Sequence, residues 1–360
     1  MSKELPKSTG ALPDTRNNAQ KSKDWKHSEV VASTSLVVWK EKSFNDLAKF
    51  PERFQDSSSS CMAQSGVKNL GIANYSLTNF FPILSALPIY RNRSNFPSEG
   101  MTLPDLFSLL VRGLSCFEDD KKSQNLTEAQ MNVAVSFSNK ELVDAMKYKA
   151  DGYFYLEEPY NIEDFATIIS SGRSIELMVF FEDDEYWKPR PEILREVTLY
   201  GSKTRRHGIV ASEFLLIDGK KYLFCEDSAG NWTGINGKGF RYISEEFLLK
   251  RCFGAGYLIK KAYTVPSKPK YHFTKMLTYG MKNDKDVAAL QSILQYEGFM
   301  PTKLDGEDFV PTGNFLGMTA QALIKWQIAH NMPDFQYETN MTKVRFGKKS
   351  IATANLLYMV

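Results

Sequence analysis

Residues 55–75, QDSSSSCMAQSGVKNLGIANY, give the strongest indication of how this chain folds. Ala63, Val67 and Leu70 recur at helical spacing, which predicts a helix with an apolar face. A run of serines stands immediately before Cys61, and serine is a preferred residue for capping a helix N-terminus. The pattern therefore predicts that Cys61 lies in the first turn of a helix, with the serine cluster as its cap.

A cysteine in the first turn of a helix is suited to nucleophilic catalysis. The thiolate is the attacking species, and the unpaired N–H groups and the dipole of a helix N-terminus stabilise it. The oxyanion that forms on attack needs hydrogen-bond donors. The backbone N–H of Cys61 supplies one donor, and the side-chain amide of Gln55, six positions earlier, is the candidate for the second.

A nucleophilic cysteine also needs a histidine as its base, and the chain has four histidines. His27 lies in the polar N-terminal stretch, and His272 and His330 lie far beyond the region around Cys61. His207 lies 146 positions after Cys61 (207 − 61), at the start of the apolar stretch HGIVASEF. By position, His207 is therefore the candidate base.

This combination resembles the papain-like cysteine peptidases. That family has a glutamine six residues before its nucleophile and a histidine roughly 130–150 residues after it. An asparagine in a strand ending Asn-Ser-Trp-Gly orients the histidine in the family. The corresponding segment here, KYLFCEDSAGNWTG, implies that Asp227 takes this role. An aspartate can accept a hydrogen bond from the imidazole and stabilise its charged form.

The sequence departs from the family pattern at three positions near these residues. Ser59 and Met62 stand where the family has a glycine before the cysteine and a tryptophan after it. Ala229 stands where the family has a tryptophan that shields the histidine, and Trp232 is the candidate to replace it. None of these changes removes a group that takes part in the chemistry.

The resemblance also implies where a substrate binds. The family holds an extended peptide by main-chain hydrogen bonds along an edge that contains a glycine, about 40 residues after the cysteine. The segment FPSEGMTLPD places Gly100 and Met101 there. Gly100 is expected to allow the close approach of a peptide, Met101 to line a specificity pocket, and Trp232 to contact substrate.

The order of predicted elements indicates an α+β fold. TLPDLFSLLVRGL (102–114) and NIEDFATIISSG (161–172) are predicted to be helices. SIELMVFFE, HGIVASEFLLIDGKKYLFCEDS and GAGYLIKKAY are predicted strands, with IDGKK as a hairpin turn. The resemblance implies a two-lobed arrangement, with a helical lobe and an antiparallel sheet or barrel lobe. The acidic run 182–185 is interpreted as a solvated loop.

The length of 360 residues is enough for two domains, and the sequence predicts two with flanking segments. Residues 1–44 are a polar extension, expected to be partly disordered or similar to a pro-segment. Residues 45–262 carry the papain-like pattern, 263–275 form a linker around PSKPK, and 276–360 form a small helical domain.

Residues 276–360 resemble the three-helix peptidoglycan-binding domain found beside many wall hydrolases. The resemblance is carried by LTYGMKNDKDVAALQSILQYEGF, GNFLGMTAQALIKWQ and RFGKKSIATANLLY. The first two segments have apolar stripes at helical spacing. Val287, Leu290 and Trp326 are expected to form a core and not to contact glycan. The resemblance implies peptidoglycan as a partner.

Charge and composition argue against several other classes. The chain has 45 Lys and Arg against 42 Asp and Glu, a net charge of +3, which does not indicate a nucleic-acid partner. No segment approaches the ~20 apolar residues of a membrane span, and the N-terminus lacks the ~7–15 apolar residues of a signal peptide. The four cysteines include no CxxC pair, so free thiols are expected. Neither a metal nor a cofactor is expected.

The sequence therefore predicts a cysteine endopeptidase that a C-terminal module holds at the bacterial cell wall. Such a protein, made in the cytoplasm without a signal peptide, fits a bacteriophage protein, either an endolysin that acts at the wall or a component of the virion. Two alternatives stay open. The departures at Ser59, Met62 and Ala229 favour an inactive papain-fold binding or virion structural protein, and Asp227 favours a transglutaminase-like acyl transferase. The substrate is either a peptidoglycan peptide or a protein.

Overall fold

The computed structural model describes residues 10–30, 37–41, 49–229, 234–260, 269–300, 303–304, 307–308, 310–332 and 340–358. The chain folds into two compact units, Met1–Ala262 (unit 1) and Tyr263–Val360 (unit 2). The predicted linker, 263–275, begins at this boundary, and its first residues, 263–268, lie outside the described part.

Unit 1 combines helices and strands. Its described helices are α1 (Asn18–Lys21), α2 (His27–Val30), α3 (Cys61–Thr78), α4 (Leu87–Arg91), α5 (Leu103–Arg112), α6 (Glu128–Met131), α7 (Asn139–Tyr148), α8 (Ile162–Ser170), α9 (Asp183–Tyr186) and α10 (Glu245–Arg251). Its described strands are β1 (Ala11–Leu12), β2 (Met101–Thr102), β3 (Gly152–Tyr155), β4 (Ile175–Glu182), β5 (Thr204–Ile217), β6 (Lys220–Glu226), β7 (Phe240–Ser244) and β8 (Cys252–Ile259).

The largest sheet in the described residues has six strands in the order β3-β8-β4-β5-β6-β7. Every neighbouring pair in it is antiparallel. Asp218 and Gly219 join β5 to β6 and both have positive φ, 53° and 75°, as the tight turn of a two-residue hairpin requires. The predicted strands are therefore confirmed within the described residues, as is the hairpin at IDGKK, while the last three residues of GAGYLIKKAY, 261–263, lie outside the described part.

The helix that begins at Cys61 is confirmed as α3, which is buried from Cys61 to Asn74. It packs against β5 and α5, and its apolar residues share one core with those of α4 and α5. A second core lies between the sheet and the helices α8 and α10. A helical half beside an antiparallel sheet confirms the predicted α+β fold, and the two predicted helices are α5 and α8.

Two local predictions are wrong. Ser60 occupies the N-cap of α3 but its side chain makes no capping hydrogen bond, because its hydroxyl is 2.7 Å from that of Ser58. The acidic run 182–185 is not a solvated loop. It ends β4 and begins α9, and Glu185 is fully buried, because Arg251 comes within 3.0 Å of its carboxylate.

The described parts of the N-terminal extension lie against the rest of unit 1. Arg16 links Asp14 and Asp24 through ion pairs of 2.9 and 2.6 Å. The backbone N–H of Tyr155 donates to the carbonyl oxygen of Trp25 at 3.0 Å. Of residues 35–50, 37–41 and 49–50 are described, and Trp39 packs on the sheet core.

Unit 2 has its own core. Its described helices are α11 (Lys285–Tyr296), α12 (Gly317–Ala329) and α13 (Lys348–Tyr358), and its described strands are β9 (Leu277–Thr278), β10 (Lys303–Leu304), β11 (Glu307–Asp308) and β12 (Arg345–Phe346). Val287, Leu290 and Trp326 are fully buried in that core, as predicted. In the described residues of the whole chain, no helix combines the length and apolar character that crossing a membrane requires.

Candidate active site

The candidate nucleophile lies where a helix presents its unpaired N–H groups. Cys61 is the first residue of α3 and is fully buried. The first N–H groups of a helix have no partner within it, so the N–H of Cys61 is available to an oxyanion. The backbone N–H of Gly208 donates to the Sγ of Cys61 at 3.4 Å, which brings β5 against the start of α3.

His207 reaches this position from β5, where its backbone pairs with Val179 of β4. The Nε2 atom of His207 lies 2.7 Å from the Oδ1 atom of Asp227. Because Nε2 is committed to Asp227, Nδ1 is the ring nitrogen that can bond to Cys61. Both side chains of the His207–Asp227 pair are buried, so water does not compete for this hydrogen bond.

The charges around His207 keep it protonated. Burial alone lowers its pKa, but the charges of Asp227 and Cys61 and the hydrogen bonds to both raise the pKa to about 10. Burial alone also raises the pKa of Asp227, but the charge of Arg241 and then that of His207 lower it to about 2. At neutral pH the site therefore contains a carboxylate and an imidazolium, which can stabilise a thiolate on Cys61.

Gln55 is held beside the same group of residues. Its backbone N–H donates to the carbonyl of Ser228 at 2.8 Å, and the Ser228 hydroxyl donates to its Oε1 at 2.9 Å. Its Nε2 donates to the carbonyl of Ser58 at 2.9 Å, and an amide nitrogen carries a second hydrogen. Gln55 is thus tied to the residue after Asp227 and to the segment that leads into Cys61.

The residues that depart from the papain-like pattern have defined contacts. The Ser59 hydroxyl donates to Glu99 at 2.8 Å, and its N–H donates to Glu128 at 2.8 Å, so it connects the segment before Cys61 to the segment before Gly100. Met62 packs closely on Gly208, where an added Cβ would lie 2.4 Å from the Met62 sulfur.

The predicted substrate edge takes part in a strand pair. Gly100 has a φ of 77°, and its N–H donates to the Tyr90 hydroxyl at 3.1 Å while its carbonyl accepts from Asn95 at 3.1 Å. The strand pairing begins at the next residue, Met101, whose N–H donates to the carbonyl of Gly10 at 2.9 Å. Met101 is fully buried, and the roles of Gly100 and Met101 toward substrate stay predictions.

The partner strand at this edge is β1 from the N-terminal extension. It runs parallel to β2, with Ala11 opposite Met101. Gly10 lies directly against Cys61, since a Cβ added there would be 2.2 Å from the Cys61 sulfur and 2.7 Å from the Ser59 carbonyl oxygen. In this structure the N-terminal segment therefore covers Cys61.

Two residues that the sequence did not indicate complete the site. Arg241 of β7 binds Asp227, and the ring of Tyr186 meets that of His207 edge to face at 5.5 Å. A lone arginine in the apolar segment FRYIS was the available signal for Arg241. Trp232, predicted to shield the histidine or contact substrate, lies outside the described residues.

The other cysteines are ordinary buried thiols. Cys116, Cys225 and Cys252 are buried and free, and burial raises the pKa of each, to about 11 for Cys116 and about 12 for Cys252. In the described residues no three His, Cys, Asp or Glu side chains cluster as metal ligands.

Comparison with known proteins bears on the fold. No family model and no curated protein matches the sequence. The structure is similar to xylellain, a cysteine protease from Xylella fastidiosa, with 15% identity and a TM-score of 0.52 over 72% of this chain and 99% of that one. It is also similar to digestive procathepsin L 3 from the Tenebrio molitor larval midgut, with 13% identity and a TM-score of 0.51 over 66% of this chain and 76% of that one. Procathepsin L2 from the same source is similar as well, with 15% identity and a TM-score of 0.50 over 72% of this chain and 76% of that one. The chain therefore has the papain-like fold.

Proposed function

We propose that this chain is a cysteine peptidase that hydrolyses peptide bonds through Cys61, His207 and Asp227. The observation that carries the proposal is the continuous set of contacts at the start of α3. Cys61 lies at the helix N-terminus, His207 is oriented by a 2.7 Å hydrogen bond to Asp227, and the Gly208 N–H touches the Cys61 sulfur. This arrangement pairs a thiol with an oriented base, as nucleophilic catalysis requires.

The reaction follows from the roles of these groups. The Cys61 thiolate attacks the peptide carbonyl carbon, and the oxyanion accepts hydrogen bonds from the Cys61 N–H and the Gln55 amide. His207 then donates its proton to the leaving amine, and a thioester remains. Water attacks the thioester, gives its proton to His207 and releases the acid, which regenerates the charged Cys61–His207 pair.

We propose that the form described is latent. Gly10 lies against the Cys61 sulfur, and Gly10 and Ala11 occupy the edge along which the fold binds extended peptides. A substrate carbonyl and the Gly10 backbone cannot both lie within reach of the same sulfur. Activity therefore requires that the segment containing β1 moves away or is cut.

Peptidase activity is tested by mass spectrometry of reaction products. Purified peptidoglycan and a denatured protein are incubated separately with the wild type, with a Gly10→Val variant that displaces the cover, and with Gly10→Val/Cys61→Ala. We expect new peptide termini with Gly10→Val and none with the double variant. The substrate that yields termini identifies the class of bond that is cut.

Other outcomes of this experiment separate the alternatives. Transfer of an acyl group to an added amine, in preference to water, would favour the transglutaminase-like activity. No product from either substrate, together with no labelling of Cys61 by a thiol-reactive peptide epoxide, would contradict the peptidase proposal and favour an inactive binding protein.

We also propose that unit 2 binds peptidoglycan. Its three helices carry the three segments that resemble the wall-binding domain, and Val287, Leu290 and Trp326 form their core. The full-length Cys61→Ala chain is expected to sediment with purified peptidoglycan and to stay bound at about 0.5 M salt, where surface charge attraction is strongly screened. Soluble glycan fragments should compete. A chain that stays in the supernatant would contradict this assignment.

A further inference from the structure

Arg241 takes no part in the proposed reaction steps. It lies on β7, where its backbone pairs with Cys225 of β6, and it is fully buried. A guanidinium cannot lose its proton in a protein, so this is a permanent positive charge inside unit 1. Such a charge is tolerated only where it is paired and hydrogen-bonded.

The partner of this charge is the candidate catalytic carboxylate. The Nη2 of Arg241 donates to the Oδ2 of Asp227, and its Nη1 donates to the Tyr186 carbonyl oxygen at 3.0 Å. The other oxygen of Asp227, Oδ1, accepts from His207 at 2.7 Å and from the Ala229 N–H at 2.8 Å. The guanidinium therefore fixes which oxygen faces His207.

Arg241 also contacts the ring that packs on His207. Its guanidinium carbon lies 4.6 Å from the Phe181 ring centre and 5.5 Å from that of Tyr186. The Tyr186 ring in turn meets the His207 ring edge to face at 5.5 Å. One side chain thus contacts both the carboxylate and the aromatic ring that hold the imidazole in place.

The charges that face Asp227 come from several elements. Its titratable and charged neighbours are His207 on β5, Arg241 on β7, Tyr186 on α9 and Cys225 on β6. Burial raises the pKa of Tyr186 and Cys225 well above neutral, so both stay uncharged. Only Arg241 and His207 among these neighbours in the described residues are then positive, and of the two only Arg241 keeps its charge at every pH.

We propose that Arg241 is a positioning residue of the active site, which keeps Asp227 ionised and turned toward His207 and so sets the lower pH limit of the oriented His207–Asp227 pair. The kinetic consequence of this inference rests on the proposed peptidase function. The effect of Arg241 on His207 and Asp227 does not depend on that function. Without Arg241, burial favours the protonated form of Asp227, and a neutral carboxyl group holds the His207 N–H more weakly than a carboxylate does.

The test compares Arg241→Gln, which loses the charge but keeps a donor, with Arg241→Lys, which keeps the charge. The pH profile of kcat/KM is measured in the Gly10→Val background. In Arg241→Gln, the acid limb of this profile, where activity falls as the pH is lowered, is expected to move upward by about 1–3 pH units. Arg241→Lys should stay near the wild-type limb. In an Asp227→Asn background, Arg241→Gln should cause no further shift, because no carboxylate remains to titrate.

A matched control separates this role from a structural one. Arg251 is also buried and pairs with Glu185 at 3.0 Å. Arg251→Gln should lower the melting temperature but leave the acid limb in place. An unmoved limb in Arg241→Gln, with a lowered melting temperature as in Arg251→Gln, would overturn the proposal and leave Arg241 a structural residue.

A nuclear magnetic resonance measurement tests the inference without any peptidase assay. In the full-length wild type, the His207 Nε2 proton bound to Asp227 is expected to persist as the pH falls toward about 2, following the low pKa of Asp227. Loss of this signal near pH 4, where an ordinary aspartate titrates, in a protein that is still folded at that pH would overturn the proposal even if Arg241→Gln does not fold. A signal that persists in the wild type but is lost at a higher pH in Arg241→Gln, in a protein with no peptidase activity, would support the role of Arg241 and contradict only the proposed function.

Discussion

Replacing Cys61 by alanine is expected to lower kcat/KM by about 10⁴- to 10⁶-fold, the range seen when a nucleophile is removed from a catalytic unit. The reason is chemical. Without the sulfur no thioester forms, and the charged His207 and the oxyanion donors have no attacking atom to assist. The measurement is the rate of peptide cleavage by Gly10→Val and by Gly10→Val/Cys61→Ala, on whichever substrate yields new termini.

The chain offers a matched control for this change. Cys116 is equally buried, and its pKa is raised to about 11, with burial as the largest cause, so it does not form a thiolate at neutral pH. Cys116→Ala should therefore keep the activity of its parent. Melting temperatures of both variants separate loss of chemistry from loss of fold. If Cys61→Ala retains cleavage, Cys61 is not the nucleophile.

Placing valine at Gly10 is expected to raise the rate at which a thiol reagent labels Cys61 by about 10- to 100-fold. A Cβ at this position would lie 2.2 Å from the Cys61 sulfur and 2.7 Å from the Ser59 carbonyl oxygen. The second contact is with backbone, so a side-chain rotation cannot relieve it. Overpacking of this kind costs about 1–3 kcal/mol, and each 1.4 kcal/mol changes the open population about tenfold.

The control for Gly10→Val is a glycine with open space around it. A Cβ added at Gly317, at the start of α12, meets nothing within 4 Å, so Gly317→Val should label at the wild-type rate. Mass spectrometry identifies the labelled cysteine. Equal labelling rates in the wild type and Gly10→Val would show that the N-terminal segment does not limit access to Cys61.

Much of the fold follows from patterns within short stretches of sequence. The helix at Cys61, the helix capped by Thr102 and the hairpin at Asp218 and Gly219 were all predictable. Each depends on residues a few positions apart, because helix periodicity, caps and tight turns are local properties of the chain. The α+β class follows from the order of these elements.

The pairing of the site residues was only partly predictable. Order and spacing indicated Cys61, His207 and Gln55, the resemblance to the papain-like family implied Asp227, and the structure brings these four together. Arg241 gave little local signal, because its effect depends on β6 and β7 lying side by side in the sheet. A single arginine in an apolar strand shows that a partner exists but not which residue it is.

Local sequence patterns gave wrong predictions where the outcome depends on burial and on the pairing of distant charges. Glu185 lies in an acidic run that is typical of a solvated loop, yet the structure buries it against Arg251 from α10. Such a pair forms only when distant elements fold together, since burying either charge alone is unfavourable. Sequence spacing cannot identify the partner.

The sequence was therefore sufficient for the main elements, the fold class and the candidate nucleophile, because residue type and short-range spacing indicate each of them. The candidate base, His207, was indicated by its distance of 146 residues from Cys61, which matches the papain-like pattern. The folded chain was needed to show that Arg241 holds Asp227 and that Gly10 covers Cys61. Both contacts join segments that are far apart in the sequence. Their effects depend on burial, because excluding water strengthens interactions between charges and dense packing leaves no space for an added group.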